Sequence, residues 1–140
     1  MNRVACFSGS GISLGASATS FGFLGPSAFS LTTTESRKAL TYRTGGTFRN
    51  LFIQILTNDR GESTFRTRKG TADANIVVTI TASGTGKFED TSNTDAVTAG
   101  DNWHSKIITG AGGTVFTART MLILFDATTN TVMRGGGSDV

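Results

Sequence analysis

Two apolar segments decide the fold: TFRNLFIQILT at residues 47–57 and TMLILF at residues 120–125. In both, large apolar side chains occupy odd and even positions alike, so an extended chain would carry them on both sides. In the first segment, one side would carry Phe48, Phe52 and Leu56, and the other Leu51, Ile53 and Ile55. Such strands are typical of the interior of a sheet. We therefore predict two central strands and a core that includes Ile53, Ile55, Ile80, Leu122 and Leu124.

Shorter strand-like runs surround these two segments, and Gly-, Asn- and Asp-rich turns separate them. The 18 glycines and the many threonines favour strands joined by tight turns over helices. The strands are predicted at residues 28–33, 38–43, 47–57, 63–69, 75–82, 103–109 and 115–126. Seven or eight strands without helical connections indicate an all-β domain, a two-sheet β-sandwich of jelly-roll type with Greek-key connections.

Composition divides the chain into three zones: an extended, Gly/Ser-rich N-terminal arm at residues 1–30, the sandwich at 31–127, and a C-terminal tail at 128–140. A flexible linker would lack large apolar residues, but this arm contains several. Two interpretations stay open for it. The arm supplies the first strands of the domain's own sheet, or it docks on a neighbouring subunit. In the second case its assembly contacts would be Phe7, Phe21, Phe23 and Leu24.

Residues able to carry catalysis or to hold a metal are scarce. The chain has one histidine, His104, and one cysteine, Cys6, too few for a zinc site. His104, Ser105 and Asp101 do not form a catalytic triad, because adjacent strand residues point to opposite faces. Four carboxylates in one stretch are interpreted as a solvated acidic loop rather than a calcium site: Glu89, Asp90, Asp95 and Asp101. We expect no enzymatic activity, no cofactor and no metal.

Charge is distributed unevenly along the chain. Residues 36–70 contain eight basic and two acidic side chains, whereas residues 71–140 contain four basic and seven acidic ones. Arg66 and Arg68 would share one strand face, but no aromatic side chain accompanies them there, so nucleic-acid binding is disfavoured. That face is either solvated or an assembly contact with Glu89 and Asp90 of a neighbouring subunit. No uninterrupted run of apolar residues approaches the length of a membrane-spanning helix, so no membrane partner is expected.

Residues 47–126 resemble a recurrent type of small virion structural protein of phages. The similarity is carried by GTFRNLFIQI, STFRTRKG and VVTITASGTGKFEDTSNTDAVTAGD, followed by a final strand. The turn at Arg66–Gly70 is similar to a hairpin of that family. The passage from Glu89 to Asp101 is similar to another of the family's segments, which ends in a tight Gly-Asp turn. Thr71 departs from the family pattern, which has Asn near Gly70.

This resemblance implies a jelly-roll protein that self-assembles into a homo-oligomer or lattice in a virion, after folding in the host cytoplasm. A capsid or capsid-decoration protein is the function expected, with itself and other virion proteins as partners. The alternative is a carbohydrate- or surface-binding β-sandwich module, in which Trp103 would present a binding platform.

Overall fold

The computed structural model describes residues 2–24 and 31–128, and the side chains from Ile12 onward within these ranges. Ten strands and one short 3-10 helix at Glu35–Lys38 make up the regular structure described. The strands are β1 Asn2–Ser13, β2 Thr19–Gly22, β3 Leu31–Thr32, β4 Leu40–Thr41, β5 Gly46–Asn58, β6 Ser63–Lys69, β7 Ala72–Ile80, β8 Gly86–Val97, β9 Asn102–Ile108 and β10 Phe116–Ala127.

The strands form two antiparallel sheets. Sheet A has the order β1-β10-β5-β8, and sheet B has the order β3-β2-β9-β6-β7, with the short β4 also paired to β9. Each sheet has an inner face turned toward the other sheet and an outer face turned away from it. The predicted all-β, two-sheet sandwich is confirmed, and β5 and β10 lie in the interior of sheet A as their sequences indicated.

The inner faces meet in a single apolar core. Four aromatic rings contribute to it, with Phe48 at 5.0 Å from Tyr42, 5.1 Å from Phe125 and 5.3 Å from Trp103, measured between ring centroids. All four side chains are buried. Edge-to-face and tilted contacts of this kind stabilise aromatic clusters beyond the area they bury. The core therefore joins sheet A to sheet B through specific ring packing.

The predicted core is correct on β5 and β7 but wrong on β10. Ile53, Ile55 and Ile80 are buried, whereas Leu122 and Leu124 are only partly buried. The β10 side chains buried on the inner face are Phe116, Ala118, Met121, Ile123, Phe125 and Ala127. Because side chains alternate along a strand, the prediction was wrong by one residue, and such a shift exchanges the two faces.

A β-bulge explains why Phe48 does not lie on the side predicted for it. Asn50 has a φ of 54°, and the register of β5 against β8 shifts between Arg49 and Leu51. A bulge inserts one residue into the alternation, so residues before and after it exchange faces. Phe48 consequently packs in the core with Leu51 and Ile53 instead of sharing the outer face with Phe52.

Strand β8 was missed by the sequence prediction. The strands predicted from the sequence leave residues 83–102 without a strand, and the carboxylates of this stretch are predicted to form a solvated acidic loop, since Asp and Asn are depleted in strands. The structure places them at the edge of sheet A, where they pair with β5 over most of their length. An edge strand packs against only one neighbour and can therefore be polar.

The first zone supplies strands to both sheets of its own chain. β1 pairs with β10, and β2 pairs with β9. This is the arrangement of the first interpretation, in which the zone belongs to the domain's own sheets. Residues 25–30 lie outside the described part, as does the tail from 129 onward.

Two short segments differ from the strands predicted there. Of the strand predicted at 28–33, the described part contains only β3. Of the strand predicted at 38–43, only β4 is extended, because the 3-10 helix ends at Lys38. The helix contacts β2 and β3, and its residue Glu35 lies over the outer face of sheet B.

Candidate functional site

The outer face of sheet B contains a network of six ionisable side chains, and this ion-pair network consists of Glu35, Arg66, Arg68, Asp73, His104 and Lys106. Backbone pairing brings its members together. Arg66 is opposite Lys106, and Arg68 is opposite His104 on one side and Asp73 on the other. The hairpin between β6 and β7 turns at Gly70, whose φ of 58° suits a two-residue hairpin turn with Gly first. This tight turn holds Asp73 beside the two arginines.

Asp73 is the common acceptor for three cations. Arg66 Nη1 lies 2.9 Å from Asp73 Oδ2, Lys106 Nζ lies 2.5 Å from Oδ1, and Arg68 Nη1 also donates to Oδ1. Partial burial raises the pKa of Asp73, but the hydrogen bonds from Lys106 and Arg68 outweigh it and bring the pKa to about 2. Asp73 is thus ionised throughout the physiological pH range.

Glu35 joins the 3-10 helix to the sheet. Its Oε1 lies 2.6 Å from Arg68 Nε and 2.7 Å from His104 Nε2. Partial burial raises the pKa of Glu35, yet the hydrogen bonds from Arg68 and His104 lower it more. Burial lowers the pKa of His104 and outweighs the opposite effect of Glu35, so its imidazole is neutral at pH 7.

A cavity of about 420 Å³ opens beside this network. It is lined by Glu35, Ser36, Ala39, Gly70, Thr71, Asn102 and His104. The His104 side chain is 0% exposed, and its Nδ1 has no hydrogen-bond partner. The adjacent Ser105 donates from its hydroxyl to the Gly22 carbonyl, 3.1 Å away, and is not paired with His104. The network therefore fastens a helix and a hairpin to the sheet, and it presents no nucleophile activated by the histidine.

Most of the predicted acidic loop is strand β8, at the edge of sheet A. Two of its carboxylates accept hydrogen bonds from the backbone of sheet B. Asp90 Oδ2 accepts the backbone N–H of Val77 at 3.0 Å, and Asp95 accepts those of Asn75 and Ile76 at 2.7 Å and 3.3 Å. These donors belong to β7, the edge strand of sheet B. Asp90 and Asp95 are 7% and 2% exposed. They are structural acceptors inside the fold.

The two remaining acids of that stretch differ from this pair. Glu89 is exposed on β8. Asp101 accepts the Thr98 backbone N–H at 2.8 Å and lies 2.8 Å from Lys69 Nζ. No group of three or more His, Cys, Asp or Glu residues suited to hold a metal ion occurs in the part of the chain that the structure describes.

Part of the charge asymmetry is balanced within the chain. Bases of residues 36–70 pair with acids of residues 71–140: Arg66 and Arg68 with Asp73, Lys69 with Asp101, and Arg49 with Asp126 at 2.5 Å. Arg66 is half-buried and Arg68 is buried. The structure does not bring either arginine into contact with Glu89 or Asp90, which lie on the other sheet.

Arg60, one of the eight basic residues of the stretch 36–70, has a structural role. Arg60 is 5% exposed as a whole residue. Its guanidinium donates hydrogen bonds to the backbone carbonyls of Leu14, Gly112, Gly113 and Thr114. The neighbouring Asp59 accepts the backbone N–H groups of Thr114 and Val115. Residues 58–61 are one of the Asn-, Asp- and Gly-containing turns between predicted strands, but the distant loop at residues 112–115 that they hold has no local sequence signal.

Three of the four apolar residues predicted as arm contacts have described side chains, and all three pack against their own chain. Phe21 is buried at 9% exposure and packs edge-on against His104, with ring centroids 5.7 Å apart. Leu24 is fully buried, and its carbonyl accepts the Tyr42 hydroxyl. Phe23 is half-buried beneath Lys38 Nζ, which lies 4.3 Å from its ring centroid. Phe7 is in register with Leu122, and its side chain lies outside the described part.

Sheet A carries four large apolar side chains on its outer face within the described residues. We define the apolar patch as Phe52, Leu56, Leu122 and Leu124. Phe52 and Leu122 are register partners, and Leu56 is 43% exposed. None of the four packs against the core cluster. In the sequence, apolar residues on both sides of these strands indicate a central position in the sheet, and they do not distinguish this surface from the core.

No family model matches the sequence, and no curated protein matches it. Within residues 2–24 and 31–128, no helix has the length and the apolar character needed to cross a membrane.

Trp103, suggested as a glycan-binding platform, is 2% exposed and packs in the core against Phe48. It therefore cannot present its ring to a glycan.

Proposed function

We propose that the protein is a structural virion component that self-associates through its β-sandwich, as a capsid or capsid-decoration subunit does. The observation that carries this proposal is the apolar patch on the outer face of sheet A. Contiguous apolar side chains on a protein surface commonly mark sites of protein association. Association would remove Phe52, Leu122, Leu124 and the exposed Leu56 from water.

Two further features support the proposal. The eight longer strands divide four and four between the sheets, as the eight strands of a jelly roll do. The ionisable groups on the outer face of sheet B hydrogen-bond to one another, and Glu35 and Arg68 thereby attach the 3-10 helix to the sheet. Both features agree with the resemblance to phage virion proteins, whose implied location is the virion.

The experiment is to purify the protein and measure its mass by light scattering over a wide concentration range, with negative-stain imaging of the same samples. We expect oligomers that grow into rings, tubes or lattice patches. The double variant Leu122→Ser with Leu124→Ser should remain smaller than the wild type. A protein that stays monomeric at every concentration would contradict the proposal.

A matched control separates the patch from apolar exposure in general. Ile108 is 39% exposed and lies on sheet B, so Ile108→Ser removes an exposed apolar side chain from the other sheet. This variant should associate like the wild type. If it loses association as completely as the double variant, the apolar patch is not the surface that carries the function.

A further inference from the structure

The sandwich has four edge strands, and three of them are protected within the described residues. β7 and β8 face each other, and Asp90 and Asp95 from β8 accept three backbone N–H groups of β7. β3, at the other end of sheet B, contains only two residues. Short length and charged side chains are the usual ways in which proteins prevent an edge from pairing with another chain.

The fourth edge, β1, is long and nearly uncharged, and no other strand of the described residues pairs with its outer side. It is 12 residues long, contains no proline, and has Arg3 as its single charged residue. Its pairing with β10 is regular from Asn2 to Gly9, and a bulge follows between Gly9 and Ile12. A long, regular and nearly uncharged edge offers a row of free backbone N–H and C=O groups to a further strand.

We propose that β1, over Asn2–Gly9, pairs antiparallel with the same stretch of a second copy of this chain. This inference rests on the self-association proposed above, and it adds to the apolar patch a second contact at the β1 edge of sheet A, with a second copy of the chain as the partner. Two identical edges related by a two-fold axis form a closed, self-complementary contact. The two copies of sheet A then form one continuous eight-stranded sheet.

Charge and parity restrict the geometry of this contact. Residues that are opposite each other in a sheet point to the same face. The two-fold axis is perpendicular to the sheet, so a given residue also points to the same face in both copies. The axis therefore passes through one residue position, which is opposite itself, and not between two positions. The middle of the regular stretch lies at Ala5 and Cys6. With the axis at either residue, Arg3 is opposite an uncharged residue, and no like charges meet.

The apolar patch also favours this partner. Leu122 and Leu124 of β10 are in register with Phe7 and Ala5 of β1, which are apolar in sequence as well. Joining two β1 strands therefore brings Leu122 and Leu124 of the two copies toward the new centre of the sheet. A partner with a charged strand would instead place its charges beside these leucines.

Amide hydrogen exchange, followed residue by residue by NMR on the full chain, tests the pairing directly. We expect alternate amides of Asn2–Gly9 to exchange fast at low concentration and to become at least about tenfold slower as the dimer forms. The remaining amides, bonded to β10, should be protected throughout. Alternate amides that are protected equally at every concentration would show that another part of the same chain, such as residues 129–140, occupies the edge, and would overturn the inference.

Two sets of variants complete the test. Ala5→Lys should weaken association at least about tenfold through like charges near the axis, whereas Thr94→Lys, an exposed site on the opposite edge strand β8, should not. Single cysteines are then compared at positions 5, 6 and 7, with Cys6→Ser as the background for the other two. The residue on the axis should form an interchain disulfide most readily, since strands in a sheet hold opposite Cα atoms within disulfide range.

The outcomes distinguish this inference from the proposed function. If the protein associates normally while Ala5→Lys has no effect and no position cross-links, the β1 pairing is wrong and self-association stands. If the wild type does not associate at all, both fail. Circular dichroism of each variant confirms that the sandwich is folded before association is measured.

Discussion

The two outer faces of the sandwich differ in how their side chains are satisfied. On sheet B, Asp73 and Glu35 accept from the surrounding cations, so the charges of that face are paired within the chain. On sheet A, Leu122 and Leu124 lie beside Phe52 without contact to the core cluster. A paired charge gains little from a new partner, whereas an apolar side chain gains by leaving water. Sheet A is therefore the face from which association is expected.

The largest expected effect separates the inner and outer faces of sheet A. Ile53 is fully buried on the inner face, so Ile53→Ala should lower the free energy of unfolding by about 2–5 kcal/mol through lost burial and a cavity. Leu122→Ala on the adjacent β10 should cost about 1 kcal/mol or less, because the side chain is already partly in water. Denaturant unfolding at a concentration where the protein is monomeric measures both. Equal losses would show that the face assignment of β10 is wrong.

The next effect concerns the carboxylates that join the two sheets. Asp95→Ala removes the acceptor for the backbone N–H groups of Asn75 and Ile76 and for the Thr67 hydroxyl. Leaving buried donors unsatisfied should cost about 2–4 kcal/mol. Thr94→Ala, at the adjacent exposed position, is the control and should change stability by less than about 0.5 kcal/mol. A small loss for Asp95→Ala would mean that the β7–β8 edge is not held by this carboxylate.

The sequence predicted the sandwich but not which apolar residues are inside it. Residues 121–125, MLILF, contain no polar side chain to mark the solvent face, so their alternation is compatible with either face, and the prediction that Leu122 and Leu124 lie in the core is wrong. The bulge at Asn50 is a second reason, since one inserted residue reverses the alternation and moves Phe48 to the inner face.

The ion-pair network was also beyond sequence reasoning. Arg66 and Arg68 were noticed, but their partners Asp73 and Glu35 are brought to them by a hairpin and by a 3-10 helix whose position depends on the complete sheet. The sequence also predicts Asp90 and Asp95 to be solvated loop residues. Their hydrogen-bond donors are backbone N–H groups of β7, and backbone donors have no sequence signature.

The smallest effect is a dependence of stability on pH that originates on sheet B. The pKa of Asp73 is lowered from 3.8 to about 2 in the folded protein. A lowered folded-state pKa stabilises the protein above the unfolded value, and this contribution is lost as the pH falls from about 4 toward 2. More than a third of the Asp73 side chain is exposed, so solvent screening should reduce it to about 1 kcal/mol. Urea unfolding at several pH values should show this loss in the wild type and a smaller one in Asp73→Asn.

The salt dependence of self-association tests most directly whether sheet A or the charged face of sheet B carries the contact. Sedimentation velocity at low and high sodium chloride is compared for the wild type, for Arg66→Gln, and for the double variant Leu122→Ser with Leu124→Ser. Apolar contacts are not screened by salt, whereas charge contacts on exposed surfaces are. We predict that wild type and Arg66→Gln associate equally well at both salt concentrations and that the double variant does not. Association that weakens with salt, is lost in Arg66→Gln and survives in the double variant would contradict the account.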